Sequence, residues 1–112
     1  MNILLVCGAG ASTSYLVTRM EKVSRELGRD DHIWAIAQTA LKFEVGKADV
    51  VLLGPQITYM LEQVQQLARE KGIPAAVIRL QDYGMCDGAK ILAFADELAA
   101  GAEGEGRPGN QT

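Results

Sequence analysis

The order of apolar segments predicts an α/β fold: a four-stranded parallel sheet, strand order 2-1-3-4, flanked by helices. Three observations carry that expectation. Strand-like and helix-like patterns alternate four times along 112 residues, and such alternation builds parallel sheets. The first and third strand segments, Ile3-Leu-Leu-Val6 and Ala48-Asp-Val-Val-Leu-Leu53, are nearly continuous apolar runs, as strands buried on both faces are. Right-handed crossovers between parallel strands then leave few topologies.

Taken in order, Ile3 to Val6 is the first strand and Cys7 stands where it must end. Ser12, Thr13 and Ser14 can each cap a helix, and Tyr15 to Leu27 reads as that helix, with Leu16, Met20, Val23 and Leu27 on one stripe. Gly28 closes it. His32 to Ala37 alternates imperfectly, which suits an edge strand, and Thr39 to Val45 has room for one short helix before Gly46. After the third strand, Gly54-Pro55 turns into a helix whose stripe is Ile57, Leu61, Val64 and Ala68. Gly72 and Pro74 stop it. Ala75 to Ile78 is a short fourth strand, Gln81 to Asp87 a loop, and Gly88 to Ala99 the last helix, with Ile91, Ala95 and Leu98 inward. The segment 101–112 is rich in glycine and has no apolar anchor, so the expected division is a domain over 1–100 and a disordered tail over 101–112.

Bulk properties narrow the function. A chain of 112 residues, 48% hydrophobic and 22% charged, fits one globular domain. Its net charge of −3 argues against a nucleic-acid surface. No apolar run approaches the roughly 20 residues that span a bilayer, and Met1-Asn2-Ile3 leads straight into a strand, so neither membrane insertion nor a signal peptide is expected. Two cysteines, Cys7 and Cys86, make no disulfide framework and fit a reduced, cytoplasmic setting. One histidine, His32, excludes a Cys/His zinc cluster, and neither metal nor cofactor is expected.

The chemistry concentrates in Cys7-Gly-Ala-Gly-Ala-Ser-Thr-Ser14. Gly8, Ala9, Gly10 and Ala11 leave the backbone almost bare, so its amides can approach a ligand. Ser12, Thr13 and Ser14 bring a helix N-terminus to the same place. Converging N–H groups favour an anion, phosphate above all, and the same field favours a nucleophilic Cys7. The flavodoxin-like order 2-1-3-4 puts its switch point between the first and third strands, at their carboxyl ends. Cys7 and the Gly54-Pro55-Gln56 turn therefore share one crevice, with Gln56, Tyr59 and Tyr83 as its expected border.

A nucleophilic cysteine has three common uses. Redox exchange wants Cys-x-x-Cys, and position 10 is Gly10. Acyl chemistry wants a histidine base, and His32 begins the second strand, at the far end of the sheet. Phosphoryl transfer needs mainly positioning and charge stabilisation. Cysteine phosphatases share this phosphatase-like P-loop as Cys-x5-Arg, but the sixth residue after Cys7 is Thr13, so the bidentate phosphate fork is missing. Asp82 and Asp87 are read as loop or capping residues rather than as a general acid.

Cys7 to Ser14, Ala48 to Ile57 with Tyr59-Met60-Leu61, and Asp82 to Gly88 together resemble the enzyme IIB component of the bacterial sugar phosphotransferase system, lactose/cellobiose (diacetylchitobiose) family. The resemblance covers the chain except the tail. It implies that Cys7 accepts a phosphoryl group from a phosphohistidine on enzyme IIA. It further implies transfer to a sugar, expected to be a β-linked disaccharide, bound by the membrane permease enzyme IIC. The expected protein is a monomeric phosphotransferase acting in the cytoplasm and transiently at the inner face of the membrane. A low-molecular-weight-type cysteine phosphatase and a non-catalytic anion- or partner-binding regulator are the alternatives. No family role is assigned to Cys86.

Overall fold

The computed structural model describes residues 1–8 and 12–104, with residues 12–13 and 102–104 as backbone only. Strand β1 spans Asn2–Cys7, β2 His32–Ala37, β3 Val50–Leu53 and β4 Ala75–Val77. All pairings are parallel and the sheet order is β2-β1-β3-β4. This is the order expected from alternation and crossover handedness. Helices α1 (Ser12–Glu26), α2 (Leu41–Glu44), α3 (Leu61–Glu70), α4 (Leu80–Gly84) and α5 (Gly88–Gly104) cover the sheet.

The period of two along β1 decides which side chains meet which helices. Ile3 and Leu5 join Leu16 and Met20 of α1 and Ile91, Leu92 and Ala95 of α5 in one buried cluster. Leu4 and Val6 face the other way, into a cluster with Leu41, Val45, Ile57, Val64 and Ala68. Residues 3–6 are all completely buried, so each fully buried aliphatic side chain contributes about 1.5–3 kcal/mol of transfer free energy. An uninterrupted apolar strand is the sequence consequence of having a core on both faces.

Both long helices that end on glycine close in the same way. Gly28 and Gly72 each have φ of 72°, and the next residues, Arg29 and Ile73, donate N–H bonds of 2.9 Å back to Ser24 O and Ala68 O. These are Schellman closures, in which glycine enters the left-handed region without steric cost.

Several expectations shift. The helix stripe ends at Val23, because Leu27 is 62% exposed beyond the last turn. In its place Ser24 is buried, donating a 2.8 Å hydrogen bond to Asp31. The single short helix expected over 39–45 is a 3-10 turn Gln38–Ala40, α2, and a second 3-10 turn Val45–Lys47. The helix after Gly54-Pro55 starts as a 3-10 segment, Pro55–Met60, broken at Ile57 by φ −116° and ψ 32°. The expected loop over 81–87 contains α4. The last helix outruns its expected end and reaches Gly104. Ala100 and Ala102 favour helix strongly enough that Gly101, with a deficit of about 1 kcal/mol, does not stop it. Residues 101–104 of the expected tail are therefore helical, and 105–112 lie outside the described residues.

Candidate functional site at the carboxyl ends of the strands

Cys7 is the last residue of β1, one of the two inner strands of the sheet. It pairs across to Ala37 of β2, and its thiol lies 3.6 Å from Ile36 O, toward which the S–H is directed. On the other side the Gly54 N–H donates to Val6 O at 2.9 Å, which sets the residue after β3 beside the residue that ends β1. The end of β1 is thus flanked by backbone on both sides, and Cys7 is only 8% exposed.

Gly8 carries the chain away from the strand under a tight constraint. A Cβ there would lie 3.3 Å from Cγ2 of Ile57, a buried side chain of the 3-10 segment. Glycine lets the backbone pass close to that wall. Ala9, Gly10 and Ala11, three of the expected phosphate-binding residues, lie outside the described residues. The chain is next described at Ser12, where α1 begins, so Ser12 and Thr13 belong to its first turn as backbone and Ser14 is exposed beside them. No acidic residue occurs in that first turn. Its N–H groups and the positive end of the helix dipole meet no carboxylate from their own turn, which suits an incoming anion.

The three expected border residues separate. Gln56 and Tyr83 both stand over Gly54: a Cβ on Gly54 would be 2.7 Å from Gln56 Oε1 and 3.7 Å from Tyr83 Cε1. Tyr83 is half-buried and is placed by α4, the helix absent from the sequence reading. Tyr59 is 78% exposed on the 3-10 segment. It therefore sits on the outer rim, not against the thiol. Tyr15, Leu80 and Met85 are also large and exposed, and they follow the carboxyl ends of β1 and β4.

The two aspartates hold structure. The Asp87 carboxylate accepts the Lys90 N–H at 3.1 Å and caps α5. Asp82 is buried in the first turn of α4, 3.7 Å from Arg79 Nη1. Arg79 in turn lies over the ring of Phe94, 5.3 Å from its centroid. Cys86 is half-buried after α4 with φ of 50°, packed against the α1/α5 core. His32 stacks on Trp34 at 4.7 Å and begins β2, at the opposite end of the sheet from Cys7.

That opposite end carries its own polar cluster. Asp31 accepts hydrogen bonds from Ser24 and the Met1 amine, and Arg29 Nε approaches it at 3.0 Å. Burial pushes the Asp31 carboxyl up, but these bonds and the Arg29 charge together hold it below the ordinary aspartate value. A cavity of about 610 Å³ also opens there, lined by Met1, Asp49, Lys71 and Pro74 among others. It shares no residue with the Cys7 crevice.

Comparison with known proteins agrees with this placement of elements. The family described as "PTS system, Lactose/Cellobiose specific IIB subunit" matches residues 2–94. The oligo-beta-mannoside-specific EIIB component of Bacillus subtilis is 42% identical over 96 residues, covering 86% of this chain and 93% of that protein. The galactose-specific EIIB component of Lactococcus lactis subsp. cremoris is 43% identical over 101 residues, covering 86% and 94%. Among solved structures, the cellobiose-specific IIB component of Borrelia burgdorferi superposes with a TM-score of 0.77 at 43% identity, over 91% of this chain and 94% of that one.

Proposed function

The chain belongs to the lactose/cellobiose-specific IIB subunit family of the sugar phosphotransferase system, and on that premise we propose that Cys7 is its phosphoryl-carrying residue. In the first step the Cys7 thiolate attacks the phosphorus of a phosphohistidine on enzyme IIA. The N–P bond breaks, an S–P bond forms, and the freed imidazole takes up a proton. In the second step a hydroxyl oxygen of a sugar bound by the membrane enzyme IIC attacks the same phosphorus. The S–P bond breaks, Sγ leaves as a thiolate, and the hydroxyl proton passes to a base on the permease.

One observation carries this reading: a cysteine ends an inner strand and a helix free of first-turn carboxylates starts five residues later. Backbone N–H groups from Gly8 to Ser14 then receive the transferred group, with neutral hydrogen bonds and no arginine at position 13. Exposed Tyr15, Tyr59, Leu80 and Met85 give both partners an apolar rim on which to seat. Relatives named for oligo-beta-mannoside and for galactose are equally similar to this chain. The permease, not this subunit, therefore selects among sugars, a β-linked disaccharide being the class that the family name favours. Residues 1–100 are the carrier unit, working as a monomer in the cytoplasm and at the inner membrane face; no helix among the described residues is long and apolar enough to cross a membrane.

The test is transfer of labelled phosphate from phosphorylated enzyme IIA. Wild type and Cys86→Ser should take up label, and Cys7→Ser should not. Full labelling of Cys7→Ser would remove the proposal. Loss of label from wild type within seconds in buffer alone would favour a phosphatase.

A further inference from the structure

Gly54 has φ of −65° and ψ of 145°, an extended conformation open to any residue. Conformation therefore does not explain a glycine here. Space does. The position of its missing Cβ lies 2.7 Å from Gln56 Oε1, 3.7 Å from Val6 O and 3.7 Å from the Tyr83 ring. The Gln56 side chain doubles back from the following turn and lies across the end of β3, where a methyl group would displace it. The turn that delivers it is held by the Ile57 N–H on Gly54 O at 3.1 Å and by the Thr58 hydroxyl on Pro55 O at 2.8 Å.

That turn lies next to the end of β1, since the Gly54 N–H is bonded to Val6 O and Cys7 is the next residue along the strand. Gln56 itself is exposed, and among the described residues its carboxamide has no hydrogen-bond partner in the protein. A carboxamide brings two N–H donors and no charge. We propose that Gln56 is a phosphoryl-binding side chain, its Nε2–H donating to a nonbridging oxygen of the group on Cys7, with Gly54 keeping the space that lets it do so. This inference rests on the phosphocysteine reading above and adds a side chain to the backbone cradle. A neutral donor fits a carrier. It gives one directional bond to a dianion without the fixed charge of arginine, so the group is oriented and remains transferable.

The experiment is the equilibrium between phosphorylated enzyme IIA and this protein, read as the phosphocysteine fraction by ³¹P NMR across a pH series. Gln56→Met keeps length and removes the donors; Gly54→Ala keeps the donors and displaces them. Gln56→Met should lower the equilibrium constant about tenfold, the worth of one hydrogen bond to a charged group, and raise the second pKa of the phosphoryl group. Gly54→Ala should do the same, and the double variant should be no worse than Gln56→Met, because both changes remove one interaction. An unchanged constant and titration in Gln56→Met would overturn the inference while leaving phosphorylation of Cys7 intact. A further drop caused by Gly54→Ala in the Gln56→Met background would overturn the coupling between the two residues. Failure of wild type to take phosphate would remove the underlying reading instead.

Discussion

Gly88→Ala should destabilise the fold, because α1 and α5 touch there through backbone. A Cβ at this position would stand 2.8 Å from Arg19 O, 2.9 Å from Arg19 C and 3.1 Å from Met20 N. Ordinary contact begins at 3.4 Å, so the shortest gap falls about 0.6 Å short. All three atoms belong to the α1 backbone, so no side-chain rotation relieves the clash and the helices must separate. Overpacking of this kind costs about 1–3 kcal/mol. The gain in helix propensity is at most about 1 kcal/mol, and less at the first residue of α5. The expected net loss is about 1–2 kcal/mol, or about 4–8 °C in Tm for a domain of this size. Urea unfolding followed by Trp34 fluorescence should show a lower midpoint at constant m. Gly46→Ala is the internal control: nothing lies within 4 Å of its Cβ position and its φ is not positive. It should be neutral or stabilising by up to about 1 kcal/mol. If Gly88→Ala unfolds with wild-type midpoint, or Gly46→Ala loses as much, the reasoning from backbone contact is wrong.

Asp31→Asn should cost about 1–3 kcal/mol, since Ser24, Arg29 and the Met1 amine lose a buried charged acceptor. The Asp31 carboxyl is depressed in the folded protein, so its contribution is complete above the unfolded value of 3.8 and lost as pH falls through the lower folded value. Tm against pH should therefore drop more steeply below pH 4 in wild type than in Asp31→Asn; parallel curves would contradict this. Thr13→Arg should hold phosphate longer and discharge it more slowly to sugar with permease membranes, because the added fork binds the phosphorylated ground state as well as the transition state. Faster discharge than wild type would refute that.

The sheet and its order were legible because they rest on patterns of whole segments. β1 and β3 are continuous apolar runs, β2 alternates poorly because it is an edge, and crossover handedness did the remaining work. What escaped depends on contacts between distant residues. Five-residue α4 is too short to show a period, and its placement of Tyr83 over Gly54 follows from tertiary packing. Leu27 fitted the α1 stripe by spacing, yet Gly28 bends the chain away before it reaches the core. At the site, Cys7 and the turn after β3 were placed by topology alone. That Gln56 folds back over Gly54, whereas Tyr59 points to the rim, is a matter of side-chain direction, to which residue spacing is blind.

The burial of β1 also bears on the order of events in the proposed relay. Cys7 ends a strand that lies between β2 and β3 and has a helix-covered core on each face, and it is itself buried at the carboxyl end of the sheet. In that relay, both partners would reach phosphorus on the sulfur from the carboxyl end of the sheet. Donor and acceptor proteins must then occupy one surface in succession, each leaving before the other docks. Such mutual exclusion forbids a ternary complex and makes the kinetics ping-pong. It also caps useful affinity: a donor that binds too tightly becomes an inhibitor of the next transfer.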